Sequence, residues 1–289
     1  MKFLICGDWH LTDKKPENRV DDYRLTVFRK LEFILNTAYS EKCQYVLQPG
    51  DFTDSPSLSY DMFHDIVYLV GSGAVKILTV YGQHDLRFRT KINTALKSIA
   101  LTTNTYILEH DQNPSGNKDI IVQGCGYDEE IPEPHKSGYN ILVIHKMIVE
   151  DKLWATQENF EWSTAFLRRN KFDLIVSGDN HQFFYAYNGN RYLFNCGSLL
   201  RSSISQIDHK PRIIIFDTEN PHKFKTINVP IEPASAVFAM DKVMKEKEKD
   251  EKLAAFVDGL SKQKDMGLSF VDNLNKYLSS NNVDKSVKQ

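Results

Sequence analysis

A chain of 289 residues, 41% hydrophobic and 26% charged, is long enough to bury a large core and to carry an appendage. Its formal net charge of -2 gives no bulk attraction for nucleic acid, so any such binding needs a local patch. Four scattered cysteines without a C-x-x-C pair, no signal-peptide core and no window near the ~18 apolar residues of a bilayer span point to a soluble, intracellular protein with no membrane partner.

Phe3-Leu4-Ile5 reads as a first strand, running into Asp8-Trp9-His10. A helix follows, with Val27, Phe28, Leu31, Ile34, Leu35 and Ala38 at helical spacing. Tyr45-Val46-Leu47 is a second strand that closes on Gly50-Asp51. A second helix carries Met62, Phe63, Ile66, Val67 and Val70 and stops at Gly71-Ser72-Gly73. The third strand, Ile77 to Val80, ends in Gly82-Gln83-His84-Asp85. This alternation predicts a layered α/β fold with parallel strands.

Short strands are expected at 105–108, 120–122 and 141–144, the last ending in His145, and a helix over 151–170. Leu174-Ile175-Val176 runs into Asp179 and His181. Phe183 to Tyr187 and Arg191 to Phe194 form a hairpin, for which Asn188-Gly189 supplies a type I′ turn. After a strand at 212–216 the composition shifts, which divides the chain into residues 1–230 and a helical segment, 231–289. The apolar stripes of that segment, Leu253 to Leu260 and Phe270 to Leu278, must be buried, either as a small cap or against a partner.

Five strand-like runs thus each end in an Asp, His or amide, where ligands collect in open α/β sheets. Asp8 and His10 are two apart and project to one side of extended backbone, and Asp179 and His181 repeat the device. With Asp51, Gln83 and His145 they make seven potential ligands, too many for one tetrahedral zinc and suited to two divalent ions bridged by Asp51. Carboxylate, imidazole and amide donors without a thiolate favour Mn²⁺, Fe or Zn. Three carboxylates against four cationic charges leave about one positive charge to meet hydroxide and phosphate, which points to phosphoester hydrolysis.

Asp8-x-His10, Gly50-Asp51-x-x-Asp54, Gly82-Gln83-His84-Asp85, His145 and Gly178-Asp179-Asn180-His181 resemble the five motifs of the calcineurin-like metallophosphoesterases, in their order, over residues 1 to about 216. Within that superfamily, Gly-x-His-Asp and the later Asn195-Cys196-Gly197-Ser198-Leu199-Leu200-Arg201 look most like SbcD-type DNA-repair nuclease subunits and their phage relatives. The resemblance implies a four-layer α/β/β/α sandwich with two divalent metal ions, Mn²⁺ first and Fe, Zn or Mg as alternatives. It implies exonuclease or endonuclease activity on DNA in a bacterial or phage-infected cytoplasm. A coiled-coil ATPase of the SbcC type is the implied partner of the C-terminal helices, and a homodimer is left open.

Carried over by position, Asp8, His10, Asp51 and His181 hold one metal, and Asp51, Gln83, His145 and Asp179 the other. His84 is the acid that protonates the leaving oxygen, oriented by Asp85. Gln83 stands where the family has Asn, and Asp179 where it usually has His, so the second metal is expected to bind more weakly.

Around this centre, Trp9, Arg87, Arg89, Ser198 and Arg201 are the candidate substrate contacts. Arg87-Phe88-Arg89 with Lys91 either grips phosphates and stacks a base or forms a solvated basic turn. Trp9 either shapes the cleft or packs, and Gly197-Ser198 is either a nuclease marker or a turn. The competing functions are a small-substrate phosphodiesterase or phosphatase on nucleotides or phosphoproteins, and a non-catalytic interaction module. The complete ligand set for the first metal argues against the module.

Overall fold

The computed structural model describes residues 1–110, 116–154, 156–245, 248, 249 and 252. The first half builds strand and helix alternately: β1 (Lys2–Ile5), α1 (Tyr23–Ser40), β2 (Tyr45–Gln48), α2 (Tyr60–Gly71), β3 (Lys76–Thr79), α3 (Ala95–Thr102) and β4 (Thr105–Ile107). Each of the three helices opens on a side chain that accepts from the backbone of its first turn: Asp22 from Leu25, Ser59 from Met62 and Thr94 from Lys97. Such a cap satisfies a donor that the helix itself leaves without a partner. The second half runs β5 (Ile120–Cys125), β6 (Tyr139–His145), β7 (Ile148–Val149), β8 (Glu161–Trp162), α4 (Ser163–Arg169), β9 (Leu174–Gly178), β10 (Phe184–Asn188), β11 (Arg191–Asn195), β12 (Arg212–Asp217) and β13 (Lys225–Asn228).

The strands form a six-stranded sheet, β13-β12-β1-β2-β3-β4, and a five-stranded sheet, β10-β11-β9-β6-β5. Side-chain alternation then sorts the core into layers. Phe3, Ile5, Leu47 and Leu78 face Val143, Leu174, Val176 and Phe194 between the sheets. Leu4, Val46 and Ile77 turn the other way, onto Val27, Leu31, Ile34, Met62 and Ile66 of the helices. On the far side Leu142, Ile144 and Ile175 pack on Phe166 and Leu167 of α4. This is the four-layer α/β/β/α sandwich. Full burial of each such side chain is worth roughly 1.5–3 kcal/mol, so the sandwich rather than helix propensity fixes the strand ends.

Several local expectations change. The helix expected over 151–170 is confined to Ser163–Arg169, because Glu161 and Trp162 pair in parallel with Ile148 and Val149. Helix α3 and strand β13 are additional elements, the latter completing the edge beside β12. In the β10–β11 hairpin Asn188 pairs with Arg191, so the turn is Gly189-Asn190. Only Gly189 is left-handed there (φ +62°), whereas a type I′ turn needs both central residues so. The four cysteines are free and buried. Among the described residues no helix is long and apolar enough to cross a membrane.

The chain divides into two compact units, Met1–Val237 and Phe238–Gln289. Residues Leu253 to Leu278, where the apolar stripes are expected, lie outside the described residues.

Candidate metal centre

The ligand-bearing loops leave the C-terminal ends of parallel strands. In one sheet β1 leads to Asp8 and His10, β2 to Asp51, and β3 to Gln83 and His84. In the other, β6 ends in His145 and β9 leads to Asp179 and His181. Parallel pairing of β1 with β2, β2 with β3 and β6 with β9 puts these ends on one edge.

Three groups of metal-competent side chains converge there: Asp8, His10 and His181; Asp8, Asp51 and His145; and His10, Asp51 and His84. Asp8, His10 and Asp51 each belong to two of them, so the three groups share one set of side chains. His10 (φ +45°), Asp51 (φ +47°) and Asp179 (φ +78°) all sit in the left-handed backbone region, which costs a non-glycine residue of order 1–3 kcal/mol. Strain at these three candidate positions shows that the surrounding structure dictates their direction.

Hydrogen bonds supply that rigidity. The amide of His84 donates to Asp51 Oδ1 (2.9 Å), and that of Asp179 to Asp8 Oδ2 (2.9 Å). His145 Nδ1 meets the Pro49 carbonyl (2.7 Å), which turns Nε2 toward Asp51 Oδ2 at 3.5 Å. His10 Nε2 and His181 Nε2 lie 3.1 Å apart.

The electrostatics are those of a cation site. Burial pushes Asp8 up to about 7, and its Oδ1 is buried with no hydrogen-bond partner. Burial opposes the charge of Asp51 too, but His145 outweighs it and holds the carboxyl down at about 2; Asp51 Oδ2 is likewise orphaned. Against its own burial, His145 is raised to about 10 by Asp51, Asp8 and Asp179. His181 falls to about 4 through burial and the neighbouring His10. Buried carboxylate oxygens without donors, facing imidazole nitrogens, suit hard or borderline divalent ions. The residues fit two such ions.

Gln83 joins the two positions that depart from the family pattern. Its Oε1 contacts His145 Nε2 (2.7 Å) and its Nε2 donates to Asp179 Oδ1 (3.0 Å). A metal ligated by Gln83, His145 and Asp179 must replace both contacts, whereas one ligated by His10 and His181 must replace the single contact between their Nε2 atoms. Calorimetric titration with Mn²⁺ is therefore expected to show two unequal sites, the second weaker by about tenfold or more. Two equal affinities would contradict this.

Other expected roles move. Asp85 makes no side-chain hydrogen bond to His84. Its buried carboxylate accepts from the amides of Phe52, Thr53 and Gly82 and from the Thr53 hydroxyl, tying the two ligand loops together. His84 Nδ1 instead meets the Asp54 carbonyl (3.1 Å), and Asp54 Oδ1 lies 3.3 Å from His10 Nδ1. Trp9 is fully buried, packed on Phe52 with its indole N–H on Cys6 Sγ, and is core rather than cleft wall. Ser198 is buried and donates to the Leu200 carbonyl. Arg201 is buried and holds the carbonyls of Ile207 and Glu232. Arg87 bonds the Asn93 carbonyl and the Ser57 hydroxyl, and Lys91 pairs with Glu129. Phe88 and Arg89 remain exposed at the tip of that turn.

Sequence reasoning missed the supports. Asn195 Nδ2 donates to the carbonyls of Asn180 (2.6 Å) and Gln182 (2.7 Å), fixing the loop around His181. Gln48 brackets Gly50 through both its oxygen and its nitrogen. A buried amide at the end of a strand was the available signal for each.

The fold and site define a dimetal phosphoesterase architecture. A family model for calcineurin-like phosphoesterases matches residues 1–183, and the chain belongs to that family of hydrolases acting on phosphoester bonds. No curated protein matches the sequence. Among solved structures it is similar to TT1561 of Thermus thermophilus, with 12% identity and a TM-score of 0.52, over 79% of this chain and 99% of that one. It is also similar to a putative 5'-nucleotidase from Staphylococcus aureus, with 12% identity and a TM-score of 0.50, over 86% of this chain and 58% of that one. At such identities the likeness extends to the fold alone.

Proposed function

We propose that this chain is a dimetal phosphodiesterase that cuts DNA, working in the cytoplasm of a bacterium or phage-infected cell. The observation that favours a nucleic acid is the turn Arg87–Thr90, which begins three residues after His84. Phe88 is 91% exposed, and both Phe88 (φ +50°) and Arg89 (φ +58°) are held left-handed while Arg87 anchors the turn from below. An exposed ring beside a guanidinium is what stacks a base and meets the adjoining phosphate. Docking of a coiled-coil ATPase on the segment 231–289 belongs to the same proposal.

Asp8, His10, Asp51 and His181 hold one divalent ion in this reading, and Asp51, Gln83, His145 and Asp179 the other, with Mn²⁺ as the ion. When bound, such a pair supplies Lewis acidity toward the phosphoryl group and a nucleophile near neutral pH. The chain contributes orientation. The His84 backbone is fixed by the Asp51 carboxylate and its Nδ1 by the Asp54 carbonyl, which leaves Nε2 to deliver a proton to the leaving oxygen.

Linear DNA incubated with Mn²⁺ should be degraded, and His84→Ala should slow this by about 10²–10⁴-fold while leaving Mn²⁺ affinity unchanged. Phe88→Ala should weaken cleavage of DNA but not of bis-p-nitrophenyl phosphate. Hydrolysis of the small ester without any cleavage of DNA would overturn the nuclease reading in favour of a small-substrate phosphodiesterase.

A further inference from the structure

Beyond β5 the chain makes a tight turn, Gly126 to Glu129, at the edge that carries the ligand loops. Cys125 pairs with Ile144, so Gly126 and Tyr127 continue alongside His145. The ring of Tyr127 meets the imidazole of His145 edge-on, with centroids 6.4 Å apart and planes at 63°. His145 is buried, whereas Tyr127 is 39% exposed. A phenol ring thus stands half in solvent against a buried histidine of the metal centre.

The backbone that carries this ring is fastened on both sides. The amide of Tyr127 donates to the carbonyl of Tyr81 (2.8 Å), two residues before Gln83. The Gly126 amide donates to Glu129 Oε2 (2.7 Å), and the Glu129 amide returns to the Gly126 carbonyl (3.3 Å). Asp128 takes the left-handed conformation (φ +63°) with which the turn closes, one that Asp tolerates better than most residues. Glu129 pairs in turn with Lys91, whose ammonium lies 5.5 Å from the centre of the Tyr81 ring. Room is short there: a Cβ on Gly126 would stand 3.1 Å from the Tyr81 carbonyl oxygen. Lys91 comes three residues after Phe88, so one ion pair ties the turn that bears Phe88 to the turn that bears Tyr127. The Tyr127 ring is therefore held in place without being packed away. A preorganised aromatic face of this kind loses little freedom on binding and can stack on any base.

We propose that Tyr127 contacts the substrate and selects for a nucleobase on the ester that stays attached to the phosphate. This rests on the phosphodiesterase reading above and adds a residue that sets its preference. Tyr127 bridges from β5 to β3, between the strand ends that lead to Gln83 and close on His145. Both of those side chains belong to the second ion in that reading. His84, the acid at the leaving oxygen, converges instead with His10 and Asp51. The leaving group belongs with His84, so the ring beside His145 falls to the retained ester.

The test uses the full-length chain with Mn²⁺ and two diesters that share a leaving group, thymidine 5′-(p-nitrophenyl phosphate) and methyl p-nitrophenyl phosphate. The wild type should show a KM about tenfold lower for the nucleoside ester. Tyr127→Ala and Tyr127→Leu should erase that preference, and Tyr127→Phe, which keeps the ring, should retain it. Tyr127→Leu decides the matter should Tyr127→Ala fail to fold. Calorimetry with the two products, thymidine 5′-monophosphate and methyl phosphate, should show the same pattern, with Mn²⁺ affinity unchanged in all three variants. A preference that survives in both Tyr127→Ala and Tyr127→Leu would overturn the proposal. So would weaker Mn²⁺ binding with equal losses for both esters, which would make Tyr127 a shield of His145. Should the wild type hydrolyse neither ester, the phosphodiesterase reading falls, and the calorimetric comparison still decides whether Tyr127 recognises the base.

Discussion

Replacing Asp8 with asparagine should make the metal-free protein more stable at pH 8 and the enzyme nearly inactive. Asp8 is 1% exposed, and only one of its oxygens has a donor, the amide of Asp179. Burial lifts its pKa from 3.8 to about 7. The folded chain therefore binds more protons than the unfolded chain between about pH 4 and pH 7, and stability falls as pH rises through that window. Above it the metal-free protein bears the whole cost of an uncompensated carboxylate, which asparagine does not carry. A gain of about 2 kcal/mol, or roughly 4–8 °C in melting temperature, is expected at pH 8 and should vanish near pH 4. Hydrolysis in Mn²⁺ should nonetheless fall by about 10³-fold or more, since the first ion loses an anionic ligand. A variant that is less stable at pH 8 without metal would show that Asp8 is an ordinary core residue, and the dimetal reading would fail with it.

The same residue shows what the sequence makes legible. Ligands that follow directly from a strand are set by local chain: Gly50-Asp51 after β2, and His145 closing β6, could be placed from the runs before them. Six of the seven predicted side chains stand on loops just past strand ends, and His145 closes β6 itself. What could not be read is which loop crosses which. Trp9 stands between two ligands in sequence, yet its side chain turns inward because Phe52, from another strand end, covers it. Asp85 follows the proposed acid, yet it bonds Thr53 across 32 residues. Ser198 and Arg201 were expected to contact substrate, but they are buried by contacts with Gln206, Ile207 and Glu232. Lys30 occupies a core position of an otherwise legible helix stripe, and its charge disguised that position. Strand ends and helix faces are properties of short segments; the identity of a buried polar group's partner is not.

Gly7→Ala should unfold or disable the protein although no side chain is lost. The residue lies between β1 and Asp8, where the chain crosses the loop through Gly197. A Cβ built on Gly7 would stand 2.7 Å from the Gly197 carbonyl carbon and closer still to its oxygen. Both atoms are backbone, so no rotamer change relieves the clash. Nor can that loop withdraw freely. The amide of Ser198 donates to the His181 carbonyl (3.2 Å) and that of Leu199 to the Asp8 carbonyl (2.8 Å). Gly197 is thus held against two ligand loops, whose side chains approach to 3.6 Å between Asp8 Oδ2 and His181 Nε2. Overpacking of a well-filled site costs typically 1–3 kcal/mol, and a backbone-to-backbone clash belongs at or above the upper end, about 3 kcal/mol or more. The melting temperature should fall by about 6–12 °C or the variant should fail to fold, and any folded fraction should bind the first Mn²⁺ more weakly. Gly189→Ala is the control. It meets no atom within 4 Å but keeps a φ of +62°, so only the backbone penalty of about 1–2 kcal/mol applies and metal binding should be unchanged. If Gly7→Ala melted no lower than Gly189→Ala, the close crossing at Gly197 would not be what holds Asp8 and His181 together.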